Sequence, residues 1–239
     1  MNIFNIHIEF DRDDFRQKLE SAINSNSAGY ICIVDANVLS QTHKDLAYRT
    51  IVNGAVANSC DGSSIAVMCN KIYGTQYSAY SGPEIFSEYI EKPYKQLIIG
   101  NTEEKFEAVK SVLASKGFDN NNLFHIDIPF VSVDEFDYDE IAATINEMNP
   151  DIIWVSLGAP KQEMFMSKIL SSLTRGVMLG IGAAVNYYVG DIKVPKFHIG
   201  AMRFVWMRRI FEEPKKQIRR YARAICTLPK IYREEKRKQ

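Results

Sequence analysis

The chain has 239 residues, of which 46% are hydrophobic and 24% are charged, enough for one large globular domain or a domain with an appendage. It has no run of 18 apolar residues and no signal-peptide pattern at its N-terminus, so neither a membrane-spanning helix nor secretion is expected. The four cysteines form no Cys-x-x-Cys pair and lack nearby histidines, which argues against a zinc site and predicts reduced thiols in the cytoplasm.

A net charge of zero conceals a strong asymmetry along the chain. Residues 193–239 contain 15 Lys or Arg and 4 Glu, a balance of +11, whereas the remaining 192 residues have a balance of −11. A division of this size predicts that the C-terminal segment has an anionic partner of its own. The alternative is a solvated helical tail that pairs with acidic residues of the body.

Short apolar runs alternate with amphipathic stretches up to about residue 181. Strands are predicted at 30–34, 55–58, 96–99, 123–126, 152–157 and 177–181, and helices at 41–52, 63–72, 84–91, 103–115, 136–148 and 161–173. This alternation predicts βαβ units, and hence an α/β fold with a mainly parallel, Rossmann-like sheet flanked by helices. Such sheets bind ligands beyond the carboxyl ends of their strands. The informative loops are therefore those at 35–37, 60–62, 100–101, 158–162 and 180–186.

From about residue 200 the pattern changes to apolar residues interleaved with basic ones. Residues 204–211 form an apolar cluster next to Arg203, and farther on one helical face carries Ile218, Tyr221, Ala222 and Ile225. The pattern predicts a basic amphipathic helix on an anionic membrane surface, with RNA binding or packing on the body as alternatives. We therefore predict an α/β core at 1–196 and a basic membrane-docking appendage at 197–239. The apolar cluster is also a candidate contact between copies of the chain.

The segment at 158–163 is the most specific of the strand exits. A buried strand is expected to end at Gly158, Pro160 suits the first turn of a helix, and Lys161, Gln162 and Glu163 follow. Free N–H groups and the helix dipole make such a position receptive to an anion such as a diphosphate. An ordinary helix start with polar residues is the alternative, since an acidic residue is favourable there.

Two further exits carry candidate side chains. Asp61 follows a short strand and precedes a glycine and a helix, so it could serve as a general base or as a helix N-cap. Asn37 could bind a sugar or a base, or shape a turn. The Asp-x-Asp segments at 11–13 and 137–139 fall at predicted helix starts, which argues against a metal site. Gly180 and Gly182 lack the remainder of a dinucleotide-binding fingerprint.

Several of these segments together resemble the WecG/TagA/CpsF glycosyltransferases, glycosyltransferase family 26. The strongest match is PDIIWVSLGAPKQE at 150–163, and it is joined by CDG at 60–62, Asn37, GIGAAVNYYVG at 180–190 and VWMRRIFEEPKKQIRRY at 205–221. The resemblance spans about residues 30–221. The chain departs from the family where Asn186 replaces an aspartate, where one arginine is missing near 193–195, and where another is missing before Ser81.

The resemblance implies an inverting transfer of a hexose or N-acetylhexosamine, such as a ManNAc-type sugar, from a UDP-sugar to an undecaprenyl-diphosphate-linked sugar. Members serve teichoic acid, capsule or exopolysaccharide synthesis, without a bound metal, at the inner face of the bacterial plasma membrane. Asp61 inherits the role of base. Donor or nucleotide binding is assigned to Asn37, Gly62, Gly158, Lys161, Gln162, Glu163, Gly180, Gly182 and Asn186. Contact with the acceptor diphosphate or the membrane is assigned to Arg208, Arg209, Lys215, Arg219 and Arg220.

Two hypotheses from other classes remain open on the sequence. The first is a non-catalytic module that binds a nucleotide or a nucleic acid, although the presence of Asp61 and the whole PKQE block argues against it and we expect no nucleic-acid partner. The second is a dehydrogenase or epimerase acting on a nucleotide sugar, suggested by Gly180 and Gly182. Bound nicotinamide in the purified protein would support the second.

Overall fold

The computed structural model describes residues 1–192, 198–199, 202–203 and 214–239, with side chains described for 1–192 and 222–239. The strands are β1 (Asn2–Ile3), β2 (Ile6–His7), β3 (Ala28–Val34), β4 (Ala57–Cys60), β5 (Gln96–Ile99), β6 (Leu123–Ile126), β7 (Ile152–Val155), β8 (Gly176–Gly180), β9 (His198–Ile199) and β10 (Met202–Arg203). The helices are α1 (Arg12–Asn24), α2 (Ala36–Lys44), α3 (Leu46–Asn53), α4 (Ser63–Tyr73), α5 (Gly82–Ile90), α6 (Glu103–Ser115), α7 (Tyr138–Met148), α8 (Lys161–Ile169), α9 (Ala184–Tyr188) and α10 (Pro214–Lys236).

A six-stranded parallel sheet forms the centre of the molecule, in the order β4-β3-β8-β7-β5-β6. This confirms the predicted Rossmann-like α/β fold. The central strands β3, β7 and β8 are almost continuously apolar, as strands covered by helices on both faces must be. Successive residues of β3 face opposite sides of the sheet, so that Ile31 and Ile33 join one core cluster while Cys32 and Val34 join the other.

Polar residues inside the sheet are hydrogen-bonded. Trp154 is fully buried, and its indole N–H donates to Gln96 Oε1 at 2.7 Å. The edge strand β4 contains buried Asn58 and Ser59, whose side chains donate to backbone carbonyls of neighbouring segments. These polar residues explain why the prediction placed this strand two residues too early, because an apolar pattern does not mark a strand that contains them.

The predicted single helix at 41–52 is wrong, since the chain forms two helices, α2 and α3. They are separated by Asp45, whose backbone is extended with φ −118° and ψ 110°. The Asp45 carboxylate accepts a hydrogen bond from the Tyr48 N–H and caps α3. The predicted strand at 152–157 and helix at 161–173 are also too long, because β7 ends at Val155 and α8 gives way at Leu170 to a short 3-10 turn.

The two Asp-x-Asp segments lie at helix starts, as predicted. Asp11 caps α1 by accepting hydrogen bonds from the N–H groups of Asp13 and Asp14. Asp137 caps α7 by accepting from the N–H of Glu140. The first aspartate of each segment is therefore engaged with its own helix backbone.

The C-terminal helix α10 packs on α2 and α4 of the body. Within its described side chains, the packed face consists of Ala224, Thr227, Ile231 and Glu235, all at most 5% exposed. Glu235 accepts hydrogen bonds from the Phe4 N–H and the Tyr73 hydroxyl, which ties the end of the chain to its beginning. The predicted boundary at residues 196 and 197 lies outside the described residues.

The packed face of α10 differs from the apolar stripe predicted from the sequence. Of the stripe residues Ile218, Tyr221, Ala222 and Ile225, the last two have described side chains, and both are exposed, Ile225 by 71%. At 3.6 residues per turn the stripe and the packed face lie about a third of a turn apart. The helix therefore packs on the body through one face and leaves Ala222 and Ile225, on a different face, in solvent. No helix in the described part of the chain is both long and apolar enough to span a bilayer.

Candidate active site

The carboxyl ends of four neighbouring strands, β4, β3, β8 and β7, form one edge of the sheet. Because the strands are parallel and adjacent, the loops that follow them meet at this edge. They carry four of the segments singled out from the sequence, at 60–62, 35–37, 180–186 and 158–162. The exit of β5, at 100–101, follows next along the same edge.

Asp61 follows β4 directly and is half-buried. Its N–H donates to the Val34 carbonyl at 2.8 Å, so its backbone continues the pairing of β4 with β3. The N-cap of α4 is Gly62, with φ +103° and no side-chain cap. Asp61 is therefore not the N-cap residue of α4, which was the alternative left open by the sequence. A Cβ on Gly62 would meet no atom within 4 Å, so the requirement for glycine there comes from its backbone conformation.

Asn37 lies in the first turn of α2, at the exit of β3. The turn is fixed by Asp35, whose carboxylate accepts hydrogen bonds from the N–H groups of Asn37 and Val38. Asn37 is 5% exposed, and its Oδ1 has no hydrogen-bond partner among the described residues. A buried acceptor without a partner costs free energy, which a ligand that donates a hydrogen bond would recover.

Gln162 connects the exits of β7 and β8. Its Oε1 accepts from the N–H groups of Gly158 at 3.1 Å and Gly182 at 3.0 Å, and its Nε2 donates to the Gly180 carbonyl at 3.0 Å. The side chain is 4% exposed, so its described role is to hold these two turns together. Donor contact by Gln162 stays a prediction. Ser156 makes a second link between the same turns, since its hydroxyl donates to the Gly182 carbonyl at 2.6 Å.

Glu163 is fully buried beneath these turns. It accepts hydrogen bonds from Gln162 Nε2 at 2.8 Å and from the Tyr48 hydroxyl at 3.0 Å. The pKa of its carboxyl is raised to about 7, chiefly by burial and to a smaller extent by the nearby charge of Asp35, while hydrogen bonds from Gln162, from the Glu163 backbone N–H and from Tyr48 act in the opposite direction. Sequence reasoning missed Tyr48, because a tyrosine in a predicted helix 115 residues before its partner carries no local signal.

Lys161 lies at the start of α8, after β7, and Asn186 lies on α9, after β8. The Lys161 ammonium donates to the Val131 carbonyl in the loop after β6 and lies over the rings of Phe130 and Phe136. Its described partners thus belong to that loop, and its predicted contact with a diphosphate stays a prediction. Asn186 lies on the short helix α9 and is half-buried, with its carbonyl accepting from the Ile192 N–H.

The predicted acceptor residues fall mostly beyond the described side chains. Arg208 and Arg209 lie outside the described residues. Lys215, Arg219 and Arg220 lie on α10, where the helix backbone is described and these side chains are not. Their predicted roles remain untested.

Comparison with known protein families shows to which family the chain belongs. The model of the glycosyl transferase WecG/TagA/CpsF family matches residues 1–239. The chain belongs to this family. The resemblance inferred from the PKQE block and its companion motifs is confirmed, and it extends over the whole chain.

Curated members of the WecG/TagA/CpsF family are distant in sequence but similar over most of the chain. The N-acetylglucosaminyldiphosphoundecaprenol N-acetyl-beta-D-mannosaminyltransferase of Bacillus spizizenii is 22% identical over 218 residues, which cover 87% of this chain and 80% of the relative. The protein of the same name from Bacillus subtilis is 21% identical over 225 residues, covering 91% and 84%. The one from Staphylococcus aureus is 21% identical over 218 residues, covering 87% and 84%.

Proposed function

We propose that this family member is an inverting glycosyltransferase that moves a hexose or N-acetylhexosamine from a UDP-sugar to an undecaprenyl-diphosphate-linked sugar. The names of the similar proteins support the transfer of an N-acetylmannosaminyl group to a lipid-diphosphate-linked N-acetylglucosamine. We carry over the reaction class and the acceptor class, and propose a ManNAc-type sugar as the donor group. The product would enter a cell-surface polysaccharide such as teichoic acid, capsule or exopolysaccharide.

The observation that carries this proposal is the convergence at the sheet edge. Asp61, Asn37 and the turns held by Gln162 follow adjacent parallel strands, where α/β sheets bind their ligands. The unpaired Oδ1 of Asn37 offers a buried acceptor to a hydroxyl or N–H of the donor. A half-buried carboxylate, Asp61, follows the adjacent strand β4 and would accept the proton that an acceptor hydroxyl must lose.

The reaction we propose is a single in-line displacement. The acceptor hydroxyl oxygen forms a bond to the anomeric carbon while its proton passes to the Asp61 carboxylate. The bond between the anomeric carbon and the diphosphate oxygen breaks, and UDP leaves with the electron pair. The first turn of α4, which begins directly after Asp61 and Gly62 without a side-chain cap, presents backbone N–H groups suited to negative charge.

We propose that this displacement requires no bound metal. Enzymes that hold a nucleotide sugar through a metal often use an Asp-x-Asp segment, and here both such segments place their first aspartate on a helix N-terminus. Charge on the departing UDP would instead be met by helix N–H groups, by Lys161, and by the basic residues of the tail. Addition of a chelator should therefore leave the rate unchanged.

The tail would bring this edge of the sheet to the lipid-linked acceptor at the inner face of the plasma membrane. Support comes from its charge balance of +11 and from the exposed apolar face of α10 at Ala222 and Ile225. Arg208, Arg209, Lys215, Arg219 and Arg220 would then contact the acceptor diphosphate or anionic lipid.

A panel of UDP-sugars tests the proposal directly. The purified protein is incubated with each donor and a synthetic lipid-diphosphate-linked N-acetylglucosamine, and the lipid is examined by mass spectrometry. We expect a mass increase of one sugar residue with one donor. UDP binding without product would point to a different acceptor, and failure to bind UDP would overturn the proposed function.

A further inference from the structure

Glu163 is a fully buried carboxylate that the proposed displacement does not use. Both of its oxygens are occupied, Oε1 by Gln162 Nε2 at 2.8 Å and Oε2 by the Tyr48 hydroxyl at 3.0 Å. It therefore joins α3, through Tyr48, to the start of α8. A buried charge is costly, so its position next to the site calls for a physical explanation.

The Gln162 amide that Glu163 contacts makes four hydrogen bonds in a single arrangement. Its oxygen accepts from the N–H groups of Gly158 and Gly182, and its nitrogen donates to Glu163 and to the Gly180 carbonyl. Gly180 permits this approach, because a Cβ there would lie 2.9 Å from Gln162 Nε2. The whole capacity of the amide is used, and the turns after β7 and β8 are fixed by it.

An amide can occupy the same space with its oxygen and nitrogen exchanged, so its partners set its orientation. In the reversed arrangement Nε2 would face the two donating N–H groups, and Oε1 would face the Gly180 carbonyl. An ionised carboxylate can only accept hydrogen bonds, so Glu163 also admits the nitrogen and excludes the oxygen. Ionised Glu163 thereby adds to the three backbone contacts and reinforces the arrangement that holds both glycine turns.

We propose that Glu163 is a positioning residue for the donor site, whose ionised carboxylate orients the Gln162 amide and, through it, the turns at Gly158 and Gly182. The positioning of the turns follows from these contacts alone, whereas the link to the donor rests on the proposed function.

Protonation of Glu163 would disturb this network. A proton on Oε1 would oppose the Gln162 N–H, and a proton on Oε2 would require the Tyr48 hydroxyl to turn away from its acceptor. The titratable groups that act on Glu163 in the described chain are Tyr48 on α3, Cys32 on β3 and Asp35 before α2. None of these brings a positive charge, so the carboxylate depends on its hydrogen bonds, from Gln162, Tyr48 and its own backbone N–H, to remain ionised in a buried position.

Hydrogen exchange tests the positioning role without any ligand. In Glu163→Leu we expect the Gly158 and Gly182 N–H groups to exchange about 3- to 10-fold faster, because their acceptor is no longer held. Glu163→Gln resembles the protonated carboxyl: it can accept from Gln162 Nε2 only when its own NH2 group faces the Tyr48 hydroxyl, so it should exchange at a rate between those of wild type and Glu163→Leu. Glu88→Gln is the matched control, because Glu88 also accepts from a tyrosine hydroxyl, that of Tyr80, but lies on α5 and is paired with Arg16. Unchanged exchange in Glu163→Leu would overturn the proposal.

UDP binding as a function of pH tests the link to the donor. The phosphate of UDP also titrates near neutral pH, so the quantity to compare is the ratio of each variant's Kd to that of the wild type. We expect Glu163→Gln to bind UDP more weakly than wild type at pH 8, where Glu163 is ionised, and the ratio to approach 1 at pH 6, where the protonated carboxyl resembles the glutamine amide; Glu88→Gln should follow wild type at both pH values. Tyr48→Phe removes a hydrogen bond that keeps Glu163 ionised, so as the pH is lowered its UDP binding should begin to weaken at a higher pH than that of wild type. A constant ratio for Glu163→Gln would contradict the donor link. Failure of wild type to bind UDP would instead count against the proposed function and leave the exchange result standing.

Discussion

The two halves of the site differ in how far their polar groups are satisfied. At the exits of β7 and β8, the Gln162 amide and the Glu163 carboxylate have all their hydrogen bonds within the protein. At the exits of β3 and β4, the buried Oδ1 of Asn37 has no partner among the described residues, and the N-cap position of α4 is held by Gly62, which has no side chain to cap the helix. The contrast teaches that one half is built as support and that the other retains hydrogen-bonding capacity for a ligand.

The largest expected effect lies in the open half, at Asp61. Asp61→Asn removes the proposed base, so turnover should fall by roughly 10²–10⁴-fold while the thermal midpoint stays nearly constant. Steady-state kinetics with the active donor measure this loss. Asp137→Asn is the control, since Asp137 caps α7 and asparagine caps equally well. Near-full turnover in Asp61→Asn would remove the assignment of the base.

The next effect concerns the stability of the supporting half. The folded-state pKa of Glu163 is about 7 against an ordinary value of 4.5, so its contribution to stability is present below about pH 4.5 and is lost as the pH rises through 7. Glu163→Gln cannot ionise. The unfolding free energy of the variant minus that of wild type should therefore increase by about 3 kcal/mol between pH 4.5 and pH 8. Denaturant titrations at several pH values give this difference. A difference that does not change with pH would show that ionisation of buried Glu163 does not destabilise the folded protein.

Two faces of α10 differ in a similar way, since one packs on the body and the other is exposed. Ile231 is 3% exposed and packs on the body, whereas Ile225 is 71% exposed. Ile231→Ala should cost about 2–4 kcal/mol of stability. Ile225→Ala should change stability by less than about 0.5 kcal/mol and weaken co-sedimentation with anionic vesicles. Equal vesicle binding by Ile225→Ala and wild type would argue that the exposed face does not contact lipid.

The smallest effect is expected at Asn37. Asn37→Ala removes an acceptor that is unpaired without ligand, so the Kd for UDP or the donor should rise about 3- to 10-fold. Asn58→Ala provides the contrast, because the Asn58 amide nitrogen makes two hydrogen bonds to backbone carbonyls, although its Oδ1, like that of Asn37, has no partner among the described residues. It should lower the thermal midpoint and leave UDP affinity unchanged. If the two variants behaved alike, Asn37 would have a structural role only.

Much of the open half could be predicted from the sequence. The alternation of apolar strands and amphipathic helices defined the sheet, and parallel strands bring the loops at 35–37 and 60–62 to one edge. Asp61 and Asn37 were found because each lies just beyond the end of a predicted strand. The family motifs then favoured functional roles for these two residues over the alternatives of a helix cap and a turn residue.

The supporting half could not be predicted in the same way. The contact of Glu163 with Tyr48 joins residues 115 positions apart, and no local pattern marks it. The resemblance assigned Gln162 and Glu163 to donor binding, which stays a prediction, whereas spacing identifies a helix start but not which side chains turn inward. The break at Asp45 was missed for a related reason, since a cap between two amphipathic turns leaves the apolar period intact.

The anomeric configuration of the product tests the central claim most directly. The lipid-linked product formed from an α-configured UDP-sugar is isolated and examined by NMR. A single displacement assisted by one base, Asp61, predicts a β-linked sugar on the lipid-diphosphate-linked acceptor. A product that retains the α configuration would require a second displacement and would contradict the account.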